Sequence, residues 1–91
     1  MTVRRYGLIL FITGATPRSL RAVANVREFC GREFQGNCDL EIVDLYEEPH
    51  RAQPANVIVA PTLIRYEPKP VKLLVGDMSD APKLHTTIVV P

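Results

Sequence analysis

Apolar residues recur along this chain with two different periods. Tyr6 to Thr13 is a near-continuous apolar run, the pattern of a strand buried on both faces, and Gly14 ends it. Thr16-Pro17 then predicts a helix start, with a hydroxyl N-cap followed by proline at the first helical position. Leu20, Val23, Val26 and Cys30 recur at helical spacing, widened by Ala22 and Phe29. Arg18, Arg21, Asn25, Glu28 and Arg32 form the opposite stripe, with Glu28 and Arg32 in the favourable i,i+4 order. The helix is expected to end between Gly31 and Gly36, where glycine takes a left-handed cap. Leu40 to Tyr46 begins by alternating and becomes apolar at Val43 and Leu45, predicting a strand with one solvated and one buried end. Strand, helix and strand in so short a span imply a βαβ unit with parallel strands.

The second half is punctuated by proline. Glu47-Glu48-Pro49 can open a short helix, and Pro54 limits it to a turn or two. Leu63 to Tyr66 and Val71 to Val75 flank Glu67-Pro68-Lys69-Pro70, a hairpin whose prolines sit where no ladder N–H is needed. Pro61 stands at the mouth of the first of these strands, and the residues alone favour a plain strand start over a cis peptide there. Gly76-Asp77-Met78-Ser79-Asp80 is a turn, with Ser79 or Asp80 able to cap a last helix. That helix has conflicting signals. Ala81-Pro82-Lys83-Leu84-His85 can supply a first turn, but Thr86-Thr87-Ile88-Val89-Val90, ending in Pro91, is a β-branched run that favours a strand.

Composition narrows the class. Ninety-one residues make one small α/β domain spanning residues 1–91, and 46% hydrophobic residues is too many for a disordered chain. A formal charge of +1 gives no general attraction to nucleic acid or to an anionic membrane. Nothing is long enough to span a bilayer. Arg4-Arg5 before Leu8 to Ile12 has the outline of a signal peptide, but the apolar run is short and leads straight into a helix start, so a cytoplasmic protein with its first strand here is expected. The two cysteines, Cys30 and Cys38, permit one disulfide. Their spacing is not C-x-x-C, and two reduced, partly buried thiols are the reading.

The element order suits a thioredoxin-like domain, in which an active dithiol sits at the start of the first helix. Here Thr16 and Ser19 stand at the spacing of those thiols. Neither can form a disulfide or a low-pKa thiolate, so exchange chemistry is excluded there, and an N-cap with a polar first turn suffices. His50 and His85 lack partners at metal-ligand spacing and read as surface residues. Glu47-Glu48 reads as a solvated turn, no phosphate-binding glycine loop occurs, and the Arg18, Arg21, Arg32 stripe reads as a solvated face that can also touch an acidic partner.

Several blocks resemble the circadian clock protein family KaiB. They are Leu8-Ile9-Leu10-Phe11-Ile12-Thr13-Gly14 with Thr16-Pro17, Ser19 and Arg21-Ala22; Glu33-Phe34-Gln35-Gly36; Leu40 to Leu45; and Pro49. The most specific are Ala60-Pro61-Thr62-Leu63, Pro68-Lys69-Pro70-Val71-Lys72 and Gly76-Asp77-Met78-Ser79-Asp80. The resemblance runs over residues 6 to 84, and the sensor domain of clock histidine kinases shares the first half. It implies a non-enzymatic adaptor, without cofactor or metal, that binds the KaiC ATPase ring and modulates its phosphorylation cycle by recruiting other factors. KaiA and clock histidine kinases are further implied partners. It also implies fold switching. One state is a homo-oligomer, a dimer or tetramer, whose C-terminal half runs β-α-α-β. The other is a thioredoxin-like monomer whose C-terminal half runs α-β-β-α, and this state engages KaiC. In that state Pro61 holds the fold's cis-proline position.

By position, the resemblance implies clock-protein contacts at Tyr6, Arg21, Arg65 and Lys72, and a KaiC-facing segment at Asp44, Glu48 and Pro49. It assigns Pro61, Pro68, Pro70, Thr86 and Thr87 to the switching region. Three departures from the family pattern stand out. Gln53-Pro54-Ala55-Asn56 replaces an acidic pair and a lysine, and Lys72 stands beside Leu73 instead of a second basic residue. The tail after His85 does not read as an amphipathic helix, which favours the strand-ended arrangement or an atypical C-terminus. The alternatives are a thioredoxin-like interaction module in stress signalling without a clock, and a thiol oxidoreductase.

Overall fold

The computed structural model describes residues 5–57 and 59–90; Met1 to Arg4 of the signal-like segment and the final Pro91 lie outside the described residues. Four strands form one sheet in the order β2-β1-β3-β4. The apolar run becomes β1 (Tyr6–Ile12), a central strand with Leu8 and Leu10 completely buried. Its neighbours are β2 (Cys38–Asp44), parallel with Leu8 opposite Leu40, and β3 (Thr62–Glu67), antiparallel with Leu10 opposite Leu63. β4 (Lys72–Val75) pairs antiparallel with β3 and forms the far edge. Burial on both faces explains why β1 lacks the alternation seen in the edge strand β2, where only Val43 is fully buried.

Helix α1 (Pro17–Phe34) starts and stops where the sequence predicts. Thr16 has extended dihedrals and its Oγ1 accepts a hydrogen bond from Ser19 N at 3.1 Å, while Gln35 (φ 48°) and Gly36 (φ 91°) turn the chain left-handed at the far end. The buried stripe is rotated from the predicted one. It runs Ser19, Ala22, Val26, Phe29, Cys30 and Phe34, and Leu20 is 55% exposed. One residue along a helix is a rotation of about 100°. The small Ser19 therefore lets the helix approach β1, while Leu20 turns outward.

The β-branched tail is helical, against the strand-ended expectation. Helix α2 covers Ala81–Ile88, including Thr86 and Thr87. Asp80 caps it, accepting from Lys83 N at 3.0 Å, and Leu84 and Ile88 turn the same face inward with 2% and 0% exposure. Burying two such side chains is worth about 1.5–3 kcal/mol each, which outweighs a propensity penalty of a few tenths per β-branched residue. Thr86 Oγ1 donates back to Pro82 O at 2.9 Å. The C-terminal half thus runs 3-10 turn, strand, strand, helix, the α-β-β-α alternative with its first helix reduced to Pro49–Arg51.

Both long helices cover one face of the sheet. Ala22, Val26 and Phe29 of α1 and Leu84 and Ile88 of α2 join Leu8, Leu10, Leu63 and Leu74 in the main core. On the other face Phe11, Val43 and Ile64 are covered by Val57, Leu45, Ala52 and Ala55, all from the irregular segment after β2.

Candidate partner-binding surface

The C-terminal ends of β1 and β2, the start of α1 and Pro61 meet at one end of the sheet. Both hydroxyls at the dithiol positions are engaged by the backbone. Thr16 Oγ1 caps α1, and Ser19 Oγ, 1% exposed, accepts from Thr13 N at 3.4 Å. Asp44 closes the same end: its Oδ1 accepts from Gly14 N and from Tyr46 N, each at 2.9 Å. A carboxylate bonded to two backbone donors is a structural clasp, so Asp44 fixes how the following residues leave the sheet. Gly14 has φ 69°, and a side chain there would meet the Tyr46 ring. Tyr46 itself is 73% exposed. Glu48 N donates to Asp44 O at 2.9 Å, and Pro49 begins the 3-10 turn in an exposed position. Asp44, Glu48 and Pro49 therefore share one short segment, and of the three Pro49 is the exposed one.

Two apolar grooves are lined in part by the chain that follows this segment. The larger, about 440 Å³, is lined by Ile9 and Phe11 of the sheet with His50, Arg51, Pro54 and Ala55. Arg51 grips Glu41 with two hydrogen bonds, 2.5 and 3.0 Å long, which hold the Glu41 carboxyl below its usual range. The second, about 240 Å³, lies between Asn56, Val57, Val59, Thr62, Leu73 and Val75. Val59, Leu73 and Val75 are each close to half exposed.

The other implied contacts separate into two groups. Arg21 is on the outer side of α1, 3.3 Å from Asp77 Oδ2, and Lys72 is exposed at the start of β4. Hydrogen bonds from Ser79, then the Arg21 contact, hold the Asp77 carboxyl below its usual range. Tyr6 and Arg65 are not surface residues. Tyr6 stacks on Phe34 with ring centroids 4.0 Å apart, and its hydroxyl accepts from Val90 N at 2.9 Å. Arg65 is 2% exposed and donates to Ile88 O at 2.7 Å and to Pro70 O at 2.6 Å. Its guanidinium closes the carbonyl end of α2 and ties it to the hairpin link, leaving Nε buried without a partner. The family resemblance implied a partner contact here; the side chain is instead buried against the carbonyl end of α2. In this conformation both residues hold the fold together and neither is offered to a partner.

Pro61 is cis, as are Pro68 and Pro70. The plain trans strand start favoured by the residues alone is not what the structure has; the cis form implied by the resemblance is. Tyr46 and the row Val59, Leu73, Val75 were not singled out from sequence. The signal was the alternation of Val71, Leu73 and Val75, which turns apolar side chains to the thinly covered face.

Among the described residues, no group of three or more His, Cys, Asp or Glu could hold a metal ion, and no helix is long and apolar enough to cross a membrane. His50 lies in the 3-10 turn, and His85 contacts Glu33 Oε1 at 2.8 Å on the surface.

Comparison with known proteins places this arrangement. The N-terminal domain of SasA from Synechococcus elongatus superposes with a TM-score of 0.74 at 20% identity, covering 94% of this chain and 85% of that one. Oxidized mitochondrial thioredoxin 3 from Saccharomyces cerevisiae superposes with a TM-score of 0.71 at 13% identity, covering 89% and 76%. At those identities the likeness establishes a thioredoxin-like fold. In sequence, the circadian clock protein KaiB3 of Synechocystis is 38% identical over 84 residues, 92% of this chain and 82% of that protein. The circadian clock oscillator protein KaiB of Trichodesmium erythraeum is 36% identical over 81 residues, 89% and 78%. The family model of the KaiB domain matches residues 9–89. The chain belongs to the KaiB family of circadian clock proteins.

Proposed function

We propose that this protein is a cytoplasmic, non-enzymatic adaptor that binds a KaiC-type ATPase ring and modulates its phosphorylation cycle by recruiting other clock factors. One observation carries the reading. The end of a thioredoxin-like scaffold where thiol chemistry would sit holds only engaged hydroxyls, and beside it stands a segment, Tyr46 to Pro49, with Tyr46, Glu47 and Pro49 exposed, clasped in position by Asp44. Such an end is built to be recognised and lacks a nucleophile. Asp44, Glu48 and Pro49 belong to the ring-facing segment, with Asp44 acting through the backbone it holds. Arg21 and Lys72, exposed and basic, serve acidic clock partners such as KaiA-type factors or clock histidine kinases. Tyr6 and Arg65 act by maintaining this conformation.

The second state is part of the proposal. A homo-oligomeric form with a β-α-α-β half would have to dissolve the β3–β4 hairpin and free α2, which means breaking the Arg65 ties to Ile88 and Pro70. Pro61, Pro68, Pro70, Thr86 and Thr87 all lie in the elements that would rearrange. Size-exclusion chromatography with a KaiC-type hexamer and ATP tests the function. Co-elution after prolonged incubation is expected, reduced at least tenfold in affinity by a Glu48→Lys, Pro49→Ala double variant that keeps the fold. Absence of co-elution with several such rings would overturn the reading. Insulin reduction with dithiothreitol should show no turnover above background.

A further inference from the structure

The adaptor reading makes no use of sulfur, yet the two cysteines meet. Cys30 is on the inward side of α1, 9% exposed, and Cys38 opens β2 half-buried. Both thiols are free, and their Sγ atoms lie 3.3 Å apart. They sit at the opposite end of α1 from Thr16 and Ser19, so the pair is distinct from the fold's usual dithiol position. The seven-residue link between them is anchored at both ends. Asn37 N donates to Phe34 O and Tyr6 N donates to Asn37 O, each at 2.9 Å, and the turn is made by the left-handed Gln35 and Gly36. The backbone thus presents the thiols to each other. An S–S bond of about 2.05 Å needs the sulfurs to approach by a little over an ångström, within reach of small side-chain rotations.

We propose that Cys30 and Cys38 are a redox modification site, converted by peroxide from the dithiol seen here to an intrachain disulfide and returned by a small dithiol reductant. Cys38 is the attacking sulfur. It is the more exposed, and its thiol lies below the ordinary value chiefly through its hydrogen-bonding contact with Cys30, with Arg5 assisting and burial and Asp39 opposing. The Cys30 thiol is pushed up by the same hydrogen bond and by burial, so it keeps its proton. Cys38 Sγ attacks one peroxide oxygen. The S–O bond forms, the O–O bond breaks, and the departing hydroxide leaves as water with the Cys38 proton. Cys30 Sγ then attacks the sulfenic sulfur. The S–S bond forms, the S–O bond breaks, and a second water carries away the Cys30 proton. Two thiols and one hydrogen peroxide give one disulfide and two waters, with sulfur oxidised and peroxide oxygen reduced.

The test treats the full chain with one equivalent of hydrogen peroxide, followed by mass spectrometry without reductant. A monomer lighter by about 2 Da, a cross-linked Cys30–Cys38 peptide and recovery of both thiols with dithiothreitol are expected. Cys30→Ser should leave a Cys38 sulfenic acid that a cyclic 1,3-dione traps, and Cys38→Ser should leave Cys30 reduced at the same dose. Thiols that stay free in the wild type, addition of oxygens as the main product, or disulfide-linked dimers would overturn the proposal. The readout needs no clock partner, so it stands apart from the test of ring binding.

Discussion

The two faces of the sheet are covered in different ways. One lies under α1 and α2, and every residue there that bears weight is locked: Phe29 in the core, Ser19 against β1, Tyr6 stacked on Phe34, and Arg65 at the end of α2. The other lies under a single irregular segment with one 3-10 turn, whose Val57, Ala52 and Ala55 cover Phe11, Val43 and Ile64 and leave two apolar grooves. A face sealed by long helices stores stability. A thin roof of short side chains leaves apolar surface within reach of a partner. The proposed adaptor role fits this division, because such a protein needs both a durable scaffold and an accessible edge.

Substitutions can break or sharpen that contrast. The largest effect is expected on the sealed face. Phe29→Ala should lower unfolding free energy by about 3–5 kcal/mol in a denaturant titration, because a 1%-exposed aromatic ring is removed from the core. Next is Arg65→Leu, expected to cost about 2–4 kcal/mol by leaving the Ile88 and Pro70 carbonyls without their donor. Amide exchange should show its loss first in α2. Val57→Ala, under the thin roof, should cost only about 1–2 kcal/mol. A loss as large as that of Phe29→Ala would mean the two faces share the stability evenly. The smallest effect is electrostatic. The Asp77 carboxyl is held below its usual range by Ser79 and then Arg21, so its contribution is present above the unfolded value of about 4 and is lost as pH falls through the lower folded value. Tm measured from about pH 5 to pH 2 should fall in the wild type, and Asp77→Asn should make that fall slightly shallower.

The parts of this structure that sequence foretold are those where local and tertiary preferences agree. β1 has an unbroken apolar run because both its faces are buried, and α1 carries its cap, its periodicity and its glycine stop in the chain itself. The tail shows the opposite. Thr86, Thr87 and Ile88 prefer strand locally, and only the burial of Leu84 and Ile88, the Asp80 cap and the distant Arg65 make them helix. Arg65, which the resemblance assigned to a partner contact, is buried for a tertiary reason of the same kind: the end of α2 that receives its guanidinium is distant in sequence. At the candidate surface, the segment from Asp44 to Pro49 was singled out by family resemblance and not by the residue pattern itself. The exposure of Tyr46 and of the Val59, Leu73, Val75 row depends on how little the intervening segment covers, which no local pattern encodes.

Hydrogen–deuterium exchange of the chain, alone and saturated with a KaiC-type hexamer and ATP, tests the division of labour most directly. In the free protein, β1 and the inward side of α1 should be the slowest to exchange and residues 45–57 among the fastest. On binding, new protection should concentrate in residues 45–57, with little change in the middle of α1. Protection confined to the outer side of α1 and α2, with residues 45–57 unchanged, would contradict the assignment of the thinly covered side to the partner.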